Sequence, residues 1–217
     1  MKNQQGGFTL IEIAIVLVII GLILGGVLKG QELITQAKIR NVANDFNGIS
    51  AAYYSYQDRY RAMPGDDNGA KRWPAITSLP ATAGNGAVEG KYNSATATDE
   101  SRLFWQYLRL SGLITGAGTD TTQPQNAAGG MLGIQTSTTA APILSLSGLV
   151  ICSSNLPGKI ANAIDSQFDD GNPEKGQVRA IKQTAGASNP DVAAAPTSGE
   201  STYTDDGSTL YILCKNM

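Results

Sequence analysis

Gly6-Gly7-Phe8-Thr9-Leu10-Ile11-Glu12 opens a run of sixteen apolar or glycine residues, Ile13 to Leu28, in a chain of 217 residues. From Phe8 to Leu28 the segment is about 21 residues, roughly 31 Å as a helix, which matches the hydrocarbon thickness of a bilayer. It reads as a spanning helix that carries one carboxylate, Glu12. A lone carboxylate in hydrocarbon costs several kcal/mol unless it finds a partner, so Glu12 is a functional residue by default, and the obvious partner is an amine. A secretory signal peptide fits poorly: its apolar core is about 7–15 residues and ends in a small-residue cleavage site. No such site follows Leu28.

Met1 to Gly7 precede the apolar run, and Lys2 among them marks the side expected to stay cytoplasmic. The remainder of the chain is then expected to face outward. A cut between Gly7 and Phe8 would create an α-amino group four residues before Glu12, one helical turn away. That amine can neutralise the carboxylate within one subunit. It can also do so between one subunit's Phe8 and the next subunit's Glu12, if identical helices pack with an axial offset.

The short basic leader, Gly7, Phe8-Thr9-Leu10-Ile11-Glu12 and the long apolar run resemble the amino terminus of type IV pilins and type II secretion pseudopilins. The resemblance implies cleavage after Gly7 by a prepilin peptidase, N-methylation of Phe8, and polymerisation in which Glu12 meets the amine of a neighbouring subunit. It is strong over about the first thirty residues and extends beyond them only in general plan. Where many relatives carry a proline late in the membrane half, this chain has Gly21, Gly25, Gly26, Lys29 and Gly30. Local unwinding on assembly would here rest on glycine, which costs about 1 kcal/mol per residue in a helix relative to alanine. The spacings Gly21-x-x-x-Gly25 and Gly26-x-x-x-Gly30 equally permit close helix approach in lipid.

Past Lys29, the positions Ile39, Val42, Phe46, Ile49, Tyr53, Tyr56 and Tyr60 alternate three and four apart, one stripe of a continuing helix. Lys38, Arg40, Asn41, Asn44, Asp45, Gln57 and Arg59 lie off the stripe, so a packed domain is expected on one side. The tyrosines read as packing, with rings over a sheet and hydroxyls toward water. Pro64 bounds the helix, and Pro64-Gly65-Asp66-Asp67 reads as a turn. From Phe8 to about Arg61 the helix would run roughly 80 Å.

The remaining residues suffice for one globular core. Only 16% of the chain is charged, and its 25 glycines and 9 prolines require many loops. Thr98 to Gly112 reads as an amphipathic helix with Leu103, Phe104, Tyr107 and Leu108 on one face, and Pro157 to Phe168 as a second with Ile160, Ala161, Ile164 and Phe168 inward. Strands are expected over Pro142 to Cys152, Gln177 to Ile181 and Thr209 to Cys214. With no repeated βαβ period, the sheet should be antiparallel. Thr115 to Ala141 and Thr184 to Thr202, rich in Thr, Ser, Ala and Gly, read as surface loops.

Cys152 and Cys214 are the two cysteines. An oxidising compartment favours their pairing, which would also resemble the carboxy-terminal disulfide loop of many pilins; two unpaired strand thiols are the alternative. Asp165, Asp169, Asp170 and Asn172 offer the oxygen a hard cation needs, as do Asp66-Asp67-Asn68 and Asp205-Asp206. Some pseudopilins bind calcium in a loop of the globular domain, but such sequences are also ordinary turn chemistry, and no metal or cofactor is assigned. The chain has no histidine, which removes the commonest general base. Gly84 to Lys91 fails the phosphate-loop pattern at Asn85 and Tyr92. An enzyme is not expected. The formal charge is −2, and −3 once a leader containing Lys2 is lost (15 basic against 18 acidic residues), so general nucleic-acid binding is not expected either.

The reading is therefore an α+β, pilin-like fold: one long helix, half membrane-spanning and half amphipathic, packed on an antiparallel sheet with extra short helices. Residues 1–7 form the leader, 8–28 the transmembrane or filament-core helix, 29–61 its amphipathic continuation and 62–217 the globular head. The function it points to is that of a structural subunit of a type IV pilus, a homo-oligomeric helical filament. The subunit would be held in the inner membrane before assembly, its amino terminus cytoplasmic, and on the cell surface afterwards. Its partners would be the prepilin peptidase and a pilus or secretion assembly platform. A type II secretion pseudopilin and a minor, tip-located binding pilin are the alternatives.

Overall fold

The computed structural model describes residues 9–139, 142–184, 186–193 and 195–217. Helix α1 runs Leu10–Tyr60, a 3-10 turn occupies Ala70–Arg72, and α2 spans Glu100–Leu110. Then follow β1 (Leu132–Ser137), β2 (Gly148–Pro157), α3 (Gly158–Phe168), β3 (Val178–Lys182) and β4 (Leu210–Asn216). The described chain divides into two units, the first ending at Lys38 and the second Ile39–Met217.

In the second unit the expected stripe is the buried face of α1: Ile39, Val42, Phe46, Ile49, Tyr53 and Tyr56, joined by Ala43 and Ala52. The helix stops at Tyr60 because Arg61 turns left-handed (φ 54°). The Arg61 N–H still reaches the Gln57 carbonyl at 2.8 Å, which closes the last turn. The distal tyrosines depart from expectation. Tyr56 does not send its hydroxyl to water; it donates to the buried Asp67 carboxylate at 2.6 Å. Asp67 also holds Arg72 at 2.5 Å and the Gly69 N–H at 2.8 Å. Burial pushes the Asp67 carboxyl up, but the bonds from Arg72, Tyr56 and Gly69 together outweigh it and hold the group below its ordinary value. The Arg72 guanidinium lies 4.7 Å from the Tyr60 ring centre and 5.0 Å from that of Trp73, so one carboxylate and one arginine fasten the loop to the end of α1.

The sheet has the order β1-β2-β4-β3 and is antiparallel throughout. Alternation along the strands explains why Tyr211-Ile212-Leu213-Cys214 is apolar without a break. Tyr211 and Leu213 join Ile134, Ile151 and Val178 in the core that contains the α1 stripe. Ile212 and Cys214 join Val150 and Cys152 in a second core under Tyr92, Ile143, Leu144 and Leu146. Within it Cys152 and Cys214 stand opposite each other in the β2–β4 register and form a disulfide, Cα atoms 4.1 Å apart. Both sheet edges are occupied. On β1, Leu132 donates to the Pro124 carbonyl and Thr136 to that of Val88; on β3, Val178 donates to Asp169 and Ala180 to the Pro173 carbonyl.

Two expected boundaries were wrong. Residues 142–152 are not one strand: β2 begins at Gly148, and Ile143 to Leu146 form a tight turn with Leu144 and Ser145 left-handed (φ 47° and 55°). Apolar alternation there reflects a turn folded under the outer core rather than a pleat. The stretch 115–141 is not loop throughout, since it contains β1. Its strand is hard to see because Gly133 carries no side chain; one there would strike the Tyr92 carbonyl that crosses it.

Removing the bridge with Cys152→Ala/Cys214→Ala releases a loop spanned by 62 positions. The double variant is expected to lose about 4 kcal/mol of head stability, read as a lower denaturant midpoint.

Candidate functional site

The first turn of α1 is organised by two side chains. The Thr9 backbone N–H and hydroxyl both donate to the Glu12 carboxylate, at 2.8 and 2.7 Å, and the Glu12 N–H returns a bond to the Thr9 hydroxyl at 3.3 Å. This is a capping box, in which residue and cap satisfy each other's otherwise unpaired donors. Sequence reasoning about Glu12 passed over Thr9, although Thr-x-x-Glu before an apolar run is itself a helix-start signal. Glu12 thus has a local partner before any amine reaches it. Gly7 and Phe8, the expected cut and the expected amine, lie outside the described residues.

Beyond the cap, the apolar surface of α1 faces outward on all sides. Leu10 is 90% exposed, Leu22 72% and Leu28 67%, and Ile13 to Ile20 are also exposed. The helix is long and apolar enough to cross a membrane. A helix hydrophobic all round belongs in lipid or inside an assembly. Nothing crowds Gly21, Gly25, Gly26 or Gly30, so both glycine pairs leave bare backbone available for close approach. Lys29 and Glu32 pair at 3.0 Å where the apolar run ends.

The acidic turns behave as structural anchors. The Asp66 carboxylate accepts the N–H groups of Gly84, Asn85 and Gly86, the last two at 3.0 and 2.7 Å. Gly84 and Gly86 are left-handed (φ 89° and 86°), which aims successive N–H groups at one point. The loop that fails the phosphate pattern is an anion nest filled by the protein's own aspartate. Asp206 caps Ser208 and Thr209 in the same manner. Asp165, Asp169 and Asp170 come within 4.8 Å of one another. Asp165 accepts from Tyr203 at 2.6 Å and Gly171 at 3.2 Å, Asp169 from Gln177 and Val178, and Asp170 from Asn172 at 2.9 Å. Each carboxylate is already committed to the turn that follows α3. Burial pushes the Asp165 carboxyl up to about 6, against the opposing bonds from Tyr203 and Gly171.

With this geometry in view, the chain matches the family model for the prokaryotic N-terminal methylation motif over residues 2–28. That motif is the prepilin signature of type IV pilins and pseudopilins. Comparison with curated protein sequences returns no match.

Thr9→Val removes the hydroxyl from the capping box and is expected to loosen the first turn by about 1 kcal/mol. Amide hydrogen exchange at Glu12 and Ile13 in detergent micelles should quicken roughly fivefold at that cost. For Asp165 the folded value lies above the ordinary 3.8. Its contribution to stability is therefore full below about 3.9 and lost as pH rises through about 6. Asp165→Asn should flatten this part of the melting-temperature profile, leaving a smaller fall between pH 4 and 7 than in the parent.

Proposed function

We propose that this chain is a filament-forming pilin, the structural subunit of a type IV pilus. Cleavage after Gly7 and N-methylation of Phe8 mature it, and α1 is the polymerising element. One observation carries the reading: residues 2–28 hold the methylation motif, and the helix they open exposes apolar side chains on every side. That surface fits membrane anchoring before assembly, and stacked copies of the same helix bury it again afterwards. The edges of the sheet favour the same route, because among the described residues backbone donors on β1 and β3 are already bonded to neighbouring loops.

Glu12 links the two states. In the unassembled chain its carboxylate is bonded by Thr9. In the filament the charged amine of a neighbour's Phe8 supplies the opposite charge that Thr9 lacks. A carboxylate left unpaired in the apolar layer is costly, so pairing in the filament favours assembly over the isolated subunit. The mature length of about 210 residues and the disulfide support a pilus subunit.

Purified filaments are expected to contain this chain beginning at N-methylated Phe8. Glu12→Ala should still insert into the membrane yet yield few or no filaments. Normal filament yield from that variant would refute charge pairing. If deletion abolishes protein secretion and no surface fibres contain the chain, the subunit belongs to a secretion pseudopilus instead.

A further inference from the structure

The disulfide lies under a cover that is not part of the sheet. Cys152 and Cys214 are both fully buried, in the outer core with Tyr92, Ile143, Leu144 and Leu146. Val192 packs on this core from residues 189–193, an irregular stretch within the connection between β3 and β4. Those five residues are held mainly by side chains from elsewhere in the chain. Asn93 Nδ2 donates to the Asn189 carbonyl and to the Asp191 carboxylate, both at 2.9 Å. The Tyr92 hydroxyl donates to the Pro190 carbonyl at 2.6 Å. The Asn189 side-chain oxygen accepts from the Met131 N–H at 3.1 Å and from the Ser154 hydroxyl. Lys91 pairs with Asp191, but both side chains are exposed and the pair adds little. The Leu144 N–H reaches the Ala193 carbonyl at 3.0 Å, the single backbone–backbone bond that residues 189–193 make among the described residues.

The rest of the cover is tied to the strands. The Tyr92 N–H bonds the Gln135 side chain of β1 at 3.1 Å. The turn at Ile143–Leu146 is fastened to Ser137 at the end of β1, whose hydroxyl donates to the Leu146 carbonyl at 2.6 Å and accepts the Ile143 N–H at 3.0 Å. No strand pair includes residues 189–193, so they can lift while β2 and β4 stay paired. A segment with few backbone bonds opens at lower free energy than the domain as a whole. Thiol–disulfide exchange begins with a thiolate reaching a sulfur atom, so it depends on access. We propose that residues 189–193 are a strap that guards the Cys152–Cys214 disulfide. Docked, the strap bars thiols; its local release, rather than unfolding of the head, sets the rate at which a thiol reductant reaches the bridge. Asn93 and Tyr92 are its clasp. The strap lies in the head, and its test is independent of filament formation.

The oxidised full chain in detergent micelles can be treated with dithiothreitol, and its free thiols alkylated and counted by mass over time. A thiolate of the reagent attacks one cysteine sulfur and releases the other cysteine. The reagent's second thiol then displaces the first cysteine, leaving two cysteine thiols and cyclic, oxidised dithiothreitol. Reduction of the folded parent should be at least about a hundredfold slower than that of the urea-unfolded chain. Below the unfolding transition it should depend on urea far more weakly than global unfolding does, because little surface is exposed when the strap lifts. Asn93→Ala removes two strap bonds and should speed reduction roughly tenfold. Tyr92→Phe keeps the ring in the core, removes one bond and should speed it roughly fivefold. A parent reduced as fast as the unfolded chain would overturn the proposal, as would unchanged rates in both variants. So would a urea slope equal to that of global unfolding, a criterion that holds even where a variant lowers the denaturant midpoint of the head.

Discussion

Burial of the Ile39–Tyr56 face of α1 against the sheet is the contact on which the head depends. It places Phe46 beside Phe168 of α3, ring centres 6.1 Å apart, and Tyr53 over Phe104 of α2, at 6.4 Å. One helix face therefore organises both short helices and the inner side of the sheet. Such a contact is driven by the apolar area it removes from water, and it constrains that half of the helix to be one-sided. The first half of α1 has no such constraint and is apolar all round.

The second organising principle is the use of carboxylates inside loops. A chain with few charges and many glycines needs something other than apolar burial to hold its connections. Asp66 gathers three backbone N–H groups, Asp67 holds Tyr56 and Arg72, and Glu100 accepts from Thr82 and Glu89. Burial raises the Glu100 carboxyl, so this anchoring is obtained against a desolvation cost. The same economy explains why acidic turns that look like cation sites in sequence are occupied by their own backbone.

The proposed filament growth through α1 agrees with how the sheet is finished. Its inner face is spent on α1, its outer face on loops and the disulfide, and its edges on local carbonyl and carboxylate acceptors. What remains exposed and apolar is the first half of the helix, where the methylation motif lies. Thr9 holds the Glu12 carboxylate at the helix start, where unpaired N–H groups favour negative charge.

Much of this was legible in the residues themselves. The apolar run from Ile13 to Leu28, the three-four spacing from Ile39 to Tyr60, and Thr-x-x-Glu at the helix start are local patterns. Helix geometry converts them directly into faces and caps. Strand β1 was not legible, because Gly133 is defined by the Tyr92 carbonyl that passes over it. Nor was the turn at Leu144 and Ser145, whose apolar residues are set by a second core on the far side of the sheet. The roles of Asp66, Asp67 and Asp165 were likewise open in the sequence, since a carboxylate's duty depends on which donors reach it. The sequence alone determined where the helix is, which half suits lipid and which half packs. Only the tertiary structure decided what the polar groups do, because hydrogen-bond partners distant along the chain are chosen by folding and not by spacing.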